Sequence, residues 1–407
     1  MRLIKGFLYC FLIFGMAGCA SNEEKASNKV NVQNWEEVVN AAKGKTATMM
    51  MYMGGDKGLS YMNDYVIPTL KKQYDITLQL VPGQGKEIVA HIISEKEAGK
   101  AEGQIDVVWI NGETFYQLRQ IDGLYGPYNQ YLPNYKKVDT ANPIVQYDFQ
   151  ENINGYETPW SIANFALLYD SAQIADPPTS MQDFAAYWAA HPGKFTIPDD
   201  FSGYTLLKSW LIELAGSKDG LDGKFDSKKY ASYSTQLWKF INDNKKNFWK
   251  QGATFPASNT LVTQMFASGE LDFAMSFSNA DLDIKIAEKV FKNTVRPLVP
   301  KAGSMQNTNY VGIPYNASNK EVAMVIANFL ISPEAQAAKA NLKYSGSRTV
   351  LDQSRLSTDE KKLFEGNNQV KYALKVEALT SNAIKEPVPE YMIKVAADFR
   401  TQVIEKK

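Results

Sequence analysis

Between Asn34 and Gly112 the chain alternates three helix-period segments with three short apolar runs, and this alternation constrains the fold more than any other feature. Asn34 precedes Trp35-Glu36-Glu37-Val38-Val39, with Glu37 spaced for a capping box, and Gly44 closes the helix. Residues 46–53 are a strand candidate broken by Gly54-Gly55-Asp56. A helix over 61–74 carries Ile67, Leu70 and Tyr74 at helical spacing, and Pro68 marks a kink. A strand over 76–81, a helix over 86–99 and a buried strand over 105–110 follow, ending at Asn111-Gly112. Strands separated by helices predict α/β layers around a largely parallel sheet. Ligands in such sheets bind at the carboxyl ends of the strands. That places Gly54, Gly55, Asp56, Asn111 and Glu113 among the candidate ligand residues.

Further on, Thr158-Pro159-Trp160-Ser161 leads into an apolar run over 162–169, read as a long strand crossing between two lobes. Residues 203–215 form a helix with Leu206, Trp210 and Leu214 four apart. Residues 228–249 form another, and its stripe of Tyr230, Tyr233, Leu237, Phe240 and Ile241 reads as core. A strand over 271–277 ends in Ser278-Asn279; a strand over 310–315 and a helix over 321–330 come next. From Ser332 the chain reads as helical with short breaks. Trp160, Asn164, Asn279, Asn309 and Tyr310 sit at strand ends or at the crossover, and complete the candidate lining of an interlobe cleft.

The N-terminus carries Arg2 and Lys5, an apolar run over 7–16, then Ala17-Gly18-Cys19. This is the pattern of a secretory signal peptide, and the run is too short to span a bilayer comfortably. Met16-Ala17-Gly18-Cys19 resembles a bacterial lipobox. The expected boundaries are a signal over 1–18, a lipidated Cys19 and a polar tether over 19–32. Cys10 leaves with the signal, so no intramolecular disulfide is possible. Lys plus Arg number 44, as do Asp plus Glu, and this balance gives no footprint for nucleic acid.

Several phrases carry a resemblance. Asp106 to Glu113 (DVVWINGE) is similar to the strand and loop that end a first lobe. Gly155 to Trp160 (GYETPW) and Ala166 to Asp170 (ALLYD) look like a crossing segment. His191 to Phe195 (HPGKF), Gly269 to Met275 (GELDFAM) and Asn328 to Gln336 (NFLISPEAQ) match further family phrases. Together they resemble an ABC-transporter solute-binding lipoprotein of the two-lobed periplasmic type, in the YnjB-like group, related to thiamine, polyamine and ferric-ion binding proteins.

The resemblance implies a type II-like α/β fold with an interlobe cleft. It implies one lobe over 33–160 plus about 300–345, a second over 161–299, and C-terminal helices over 346–407 packed across a lobe or the hinge. It implies capture of a small polar solute, hinge closure, and delivery to a permease and its ATPase. The expected protein is a membrane-tethered monomer with no cofactor.

Enzyme readings find little support. His91 lies in a helix and His191 in a turn, and neither G-x-S-x-G nor a P-loop occurs. No clustered ligands suggest zinc, and the 22 tyrosines include no adjacent pair for ferric iron. Asp199-Asp200 and Asp281/Asp283 read as a cap and a solvated helix face. A cationic, thiamine-like solute would suit walls from Trp160, Tyr204, Tyr310 or Tyr315 and a carboxylate from Asp56, Glu113 or Asp200. The rival reading is a lipoprotein of the same fold acting as a sensor or interaction module.

Overall fold

The computed structural model describes residues 30–53, 56–367 and 369–406, leaving the side chain of Asp56 undescribed. The expected signal peptide, Cys19, most of the tether, Gly54 and Gly55 lie outside these residues.

The alternation read from sequence builds the first lobe. Helix α1 (Trp35–Ala42) leads to β1 (Thr46–Met51), whose Ala47, Met49 and Met51 alternate inward. Asn34 forms no side-chain cap; its amide instead donates to Glu37 Oε1 at 2.8 Å. The next helix is one rod in three pieces: α2 (Asp56–Tyr61), a π turn over Met62–Val66, and α3 (Ile67–Tyr74). The π turn precedes Pro68, where a missing N–H and a bulky ring disturb regular α-helical bonding. Then come β2 (Thr77–Pro82), α4 (Lys86–Glu97), β3 (Val107–Ile110) and α5 (Glu113–Gln120). β1 runs parallel to both β2 and β3.

The chain next forms α6 (Pro143–Gln146) and a two-stranded ribbon, β4 (Tyr147–Asp148) with β5 (Glu151–Asn152). It crosses out through β6 (Glu157–Asn164) and β7 (Ala166–Asp170), with Phe165 between them. The long crossing strand is thus two strands belonging to different sheets. The second lobe holds α7 (Met181–Ala190), α8 (Phe201–Ala215), α9 (Ser227–Asn244), α10 (Asn259–Ala267), β8 (Phe273–Ser276), α11 (Asp281–Ala287) and β9 (Val295–Leu298). β7 is flanked by β8 and β9. Phe184, Trp188, Phe195 and Trp210 pack into one aromatic core, with Leu237 and Ile241 of the α9 stripe buried beside them. Gly203 is required in the first turn of α8, since a Cβ there would lie 1.9 Å from the Pro198 carbonyl oxygen.

β10 (Ser304–Gly312) returns to the first sheet, pairing antiparallel with β3 and β6. α12 (Lys320–Leu330) packs on α1, and α13 (Pro333–Ala340) follows a Ser332 cap. Beyond it lie α14 (Thr358–Lys362) and α15 (Val376–Ser381). The expectation of helix alone from Ser332 onward needs correcting. β11 (Ala383–Lys385) adds a parallel strand to β10, burying Ile384. α16 (Pro389–Phe399) then packs on α8, and its Tyr391, Val395 and Phe399 join the second lobe's core. Val350, Leu351 and Leu356 instead join the first lobe's core.

Candidate functional site

The two lobes touch across the carboxyl ends of the first sheet. Tyr52, just past β1, places its hydroxyl 3.1 Å from Oγ1 of Thr260 on α10. Lys57 on α2 pairs with Glu288 behind α11 at 2.7 Å. Ser278 Oγ donates to the Ser345 carbonyl at 3.3 Å. Behind these contacts an aromatic chain runs from Tyr52 to Trp109 to Trp160, with centroids 6.2 and 5.3 Å apart. Trp160 occupies a β-bulge: Asn309 faces Ser161 while Tyr310 faces Pro159, so Trp160 is the extra residue. A bulge re-aims a side chain, here toward α13, where Lys339 Nζ stands 3.9 Å from the Trp160 ring centre.

Beside the crossing strands lies a second, carboxylate-rich region. Lys208 of α8, fully buried, donates to Glu386 just past β11. Asn307 Nδ2 holds the other Glu386 oxygen at 3.0 Å. The Gly112 N–H donates to Asp148. Gly112 has φ +52°, and the Phe149 ring would lie 2.6 Å from any Cβ there, so this loop accepts only glycine without rearrangement. A cavity of 280 Å³ opens here between Ile144, Tyr147, Phe149, Gln306, Asn307 and Glu386.

Burial pushes Glu113 up to about 7, and nearby Glu386 adds to the rise while Lys208 opposes it. Burial also raises Asp148, helped by Glu113, and raises Glu157, helped by Asp148. The native state therefore holds a proton on Glu113 that the unfolded chain releases above the ordinary glutamate range. Stability contributed at Glu113 falls as pH rises from that range toward 7. Glu113→Gln, which mimics the protonated acid, is expected to be more stable than wild type at pH 8 and to lose that advantage at pH 4. Urea midpoints at the two pH values check this.

The ten expected ligand residues separate into distinct environments. Glu113 Oε2 and Asn164 Nδ2 are buried polar atoms without a hydrogen-bond partner, while the Trp160 indole N–H interacts with the Tyr61 hydroxyl. Asn111 stands partly exposed at the end of β3, and its carbonyl receives the Thr114 N–H. Asn279 is used structurally: its amide donates to the Leu374 carbonyl at 2.7 Å and accepts from the Leu374 N–H at 3.0 Å. Asn309 donates to Ser161 Oγ at 3.3 Å. Tyr310 is 0% exposed, its hydroxyl bonded to the carbonyls of Ile144 and Val145, so it packs inside the first lobe and does not line a cleft. Asp56 begins α2, and Gly54 and Gly55 are not described.

Asp200 caps α8 through the Ser202 and Gly203 N–H groups, as read from sequence. Asp283 is not a solvated face, since its carboxylate accepts the N–H groups of Lys371, Tyr372 and Ala373. Sequence reasoning missed Tyr52, Trp109, Lys339 and Arg348. For Lys339 a signal existed: it sits four residues after buried Ala335, on the apolar side of α13.

Two α/β lobes are thus joined by adjacent crossing strands. A family model described as bacterial extracellular solute-binding protein matches residues 65–365, and the chain belongs to that family. Protein YnjB of Escherichia coli (strain K12) is 30% identical over 352 residues, covering 86% of this chain and 89% of that protein. Among solved structures, AfuA from Actinobacillus pleuropneumoniae, with fructose-6-phosphate bound, superposes with a TM-score of 0.62 at 14% identity, covering 88% of this chain and 98% of that one. Iron-bound HitA from Pseudomonas aeruginosa gives 0.59 at 13%, covering 87% and 98%. An ABC transporter protein from Clostridium perfringens gives 0.58 at 18%, covering 88% and 99%. The chain is thus an extracellular solute-binding protein by family.

Proposed function

We propose that this protein captures a small polar organic solute between its lobes, closes on it, and presents the closed form to a permease powered by an ATPase. A lipid on Cys19 would hold it to the membrane through the polar tether, as one monomeric receptor. The observation that supports this reading is the meeting of the lobes at Tyr52–Thr260 and Lys57–Glu288, with the unpartnered amide of Asn164 bordering a recess between them. A folded chain leaves such an atom unmet at a cost of about 1–3 kcal/mol unless something else meets it.

Ferric binding is the weaker reading, because the 22 tyrosines of the sequence include no adjacent pair. A thermal-shift screen against amino acids, sugars, organic phosphates, dicarboxylates, polyamines, thiamine and ferric citrate tests the proposal. A true solute at about 100 times its Kd adds roughly 2.7 kcal/mol, raising Tm by about 3 °C in a chain of this size. A well-folded sample, first freed of bound solute by refolding, that no solute stabilises would count for an interaction module instead.

A further inference from the structure

Lys339 lies in the last turn of α13 with 7% of its surface exposed. Its ammonium lies over Trp160 at 3.9 Å and near Tyr61 at 5.2 Å. Burial alone pulls Lys339 down to about 7, and no neighbouring carboxylate counters it. Arg348 sits a short distance away on the same loop system: the Lys339 carbonyl receives Ser345 Oγ at 3.0 Å and the Ser347 N–H at 3.2 Å. The Arg348 guanidinium donates to Asn164 Oδ1 at 3.1 Å and likewise has no carboxylate partner among the described residues.

Both cations stand beside β6, Lys339 over Trp160 and Arg348 on Asn164, four positions apart. The Asn164 amide that holds Arg348 keeps its Nδ2 without a partner. Asn164 also borders a small recess walled by Ser276, Ser278 and Pro297 of the second lobe, which places this donor at the junction of the lobes. The chain pairs its other deeply buried lysine, Lys208, directly with Glu386. Lys339 has no such pairing among the described residues. The end of a helix and an aromatic face offset only part of the cost of burying an ammonium. Two cations and an N–H donor beside one strand, with no acid among the described residues to balance them, are complementary to negative charge.

We infer that the interlobe site takes an anionic solute, one bearing a phosphate or carboxylate group that Lys339 and Arg348 neutralise and that Asn164 Nδ2 helps to orient. This rests on the solute-capture reading and replaces the cationic, thiamine-like ligand expected from sequence with one of opposite charge.

The test measures Tm of the full chain at fixed ionic strength with inorganic phosphate, succinate, thiamine, spermidine or a protein-free bacterial metabolite extract. Wild type is compared with Lys339→Met and with Arg348→Gln. Removing an uncompensated buried charge should leave the unliganded Lys339→Met variant at least as stable as wild type. Stabilisation of wild type by phosphate or by succinate, reduced at least tenfold in apparent affinity in either variant, is the expected result, and the active probe distinguishes phosphate from carboxylate chemistry. Equal anion stabilisation of all three proteins is general salt action and would overturn the inference. Stabilisation by thiamine or spermidine alone would overturn it while leaving solute capture intact. No response to any probe or to the extract would overturn both.

Discussion

Lys208→Met is expected to lower the unfolding free energy by about 3–5 kcal/mol, among the largest losses available to a single substitution in this chain. Lys208 has no exposed surface and Glu386 almost none. Removing the ammonium strands the Glu386 carboxylate near Glu113 and Asp148, which already feel its charge. Asn307 alone would remain to hold it. Lys208 also lies 4.3 Å from the Phe149 ring centre, so its aliphatic stem and charge both contribute to the seam joining α8, β10 and the segment after β11. The loss should persist in high salt, because a buried pair is poorly screened. Lys208→Met combined with Glu386→Leu should recover most of it, since a well-packed apolar pair replaces both charges. Urea denaturation of the two single variants and the double variant gives the coupling directly. A single-variant loss under 1 kcal/mol would mean that Glu386 finds another partner.

Trp160→Ala is expected to cost about 3–5 kcal/mol as well, by cavity formation in the first lobe. Read from sequence, Trp160 is a cleft wall that could be truncated with little loss of fold. The structure buries it to 2% exposure and stacks Lys339 on its face. Trp109 meets it edge-on, Tyr61 lies 6.4 Å away, and its carbonyl receives Gln336 Nε2 at 2.9 Å. Truncation would therefore unsupport the very cation that the inferred anion needs. Trp160→Phe keeps most of the packing and removes the indole N–H. It is expected to cost less than half as much in stability while still weakening anion binding. Chemical denaturation and titration together separate the two effects.

The lobes were legible because their signals are periodic and long. Alternating helix and strand over 34–112 set the parallel order of β1, β2 and β3, and the stripe on α9 marked a real core. Short or non-local features were not. Three residues of β11 carry too little pattern to declare a strand, and its partner β10 lies about 80 residues earlier. The bulge that turns Trp160 toward α13 depends on the register of two distant strands. Tyr310 and Asn279 were drawn into the candidate site by their place at strand ends. Their polar atoms turn out to be satisfied by Ile144, Val145 and Leu374, contacts that position along the chain does not reveal. Lys339 was overlooked because a lysine near a helix end reads as solvated, although its phase on α13 points inward.

Closure over a solute is the central claim, and the Lys57–Glu288 contact spans the two lobes. The most direct test is an electron–electron distance measurement between spin labels on Lys57→Cys and Glu288→Cys, in a full chain also carrying Cys10→Ser and Cys19→Ser. The sample is freed of bound solute by refolding, then measured with and without a protein-free bacterial metabolite extract. The expected result is a broad distribution of long distances in the solute-free protein that collapses to one short distance when extract is added. Identical distributions in both samples would contradict a hinge that closes on its ligand.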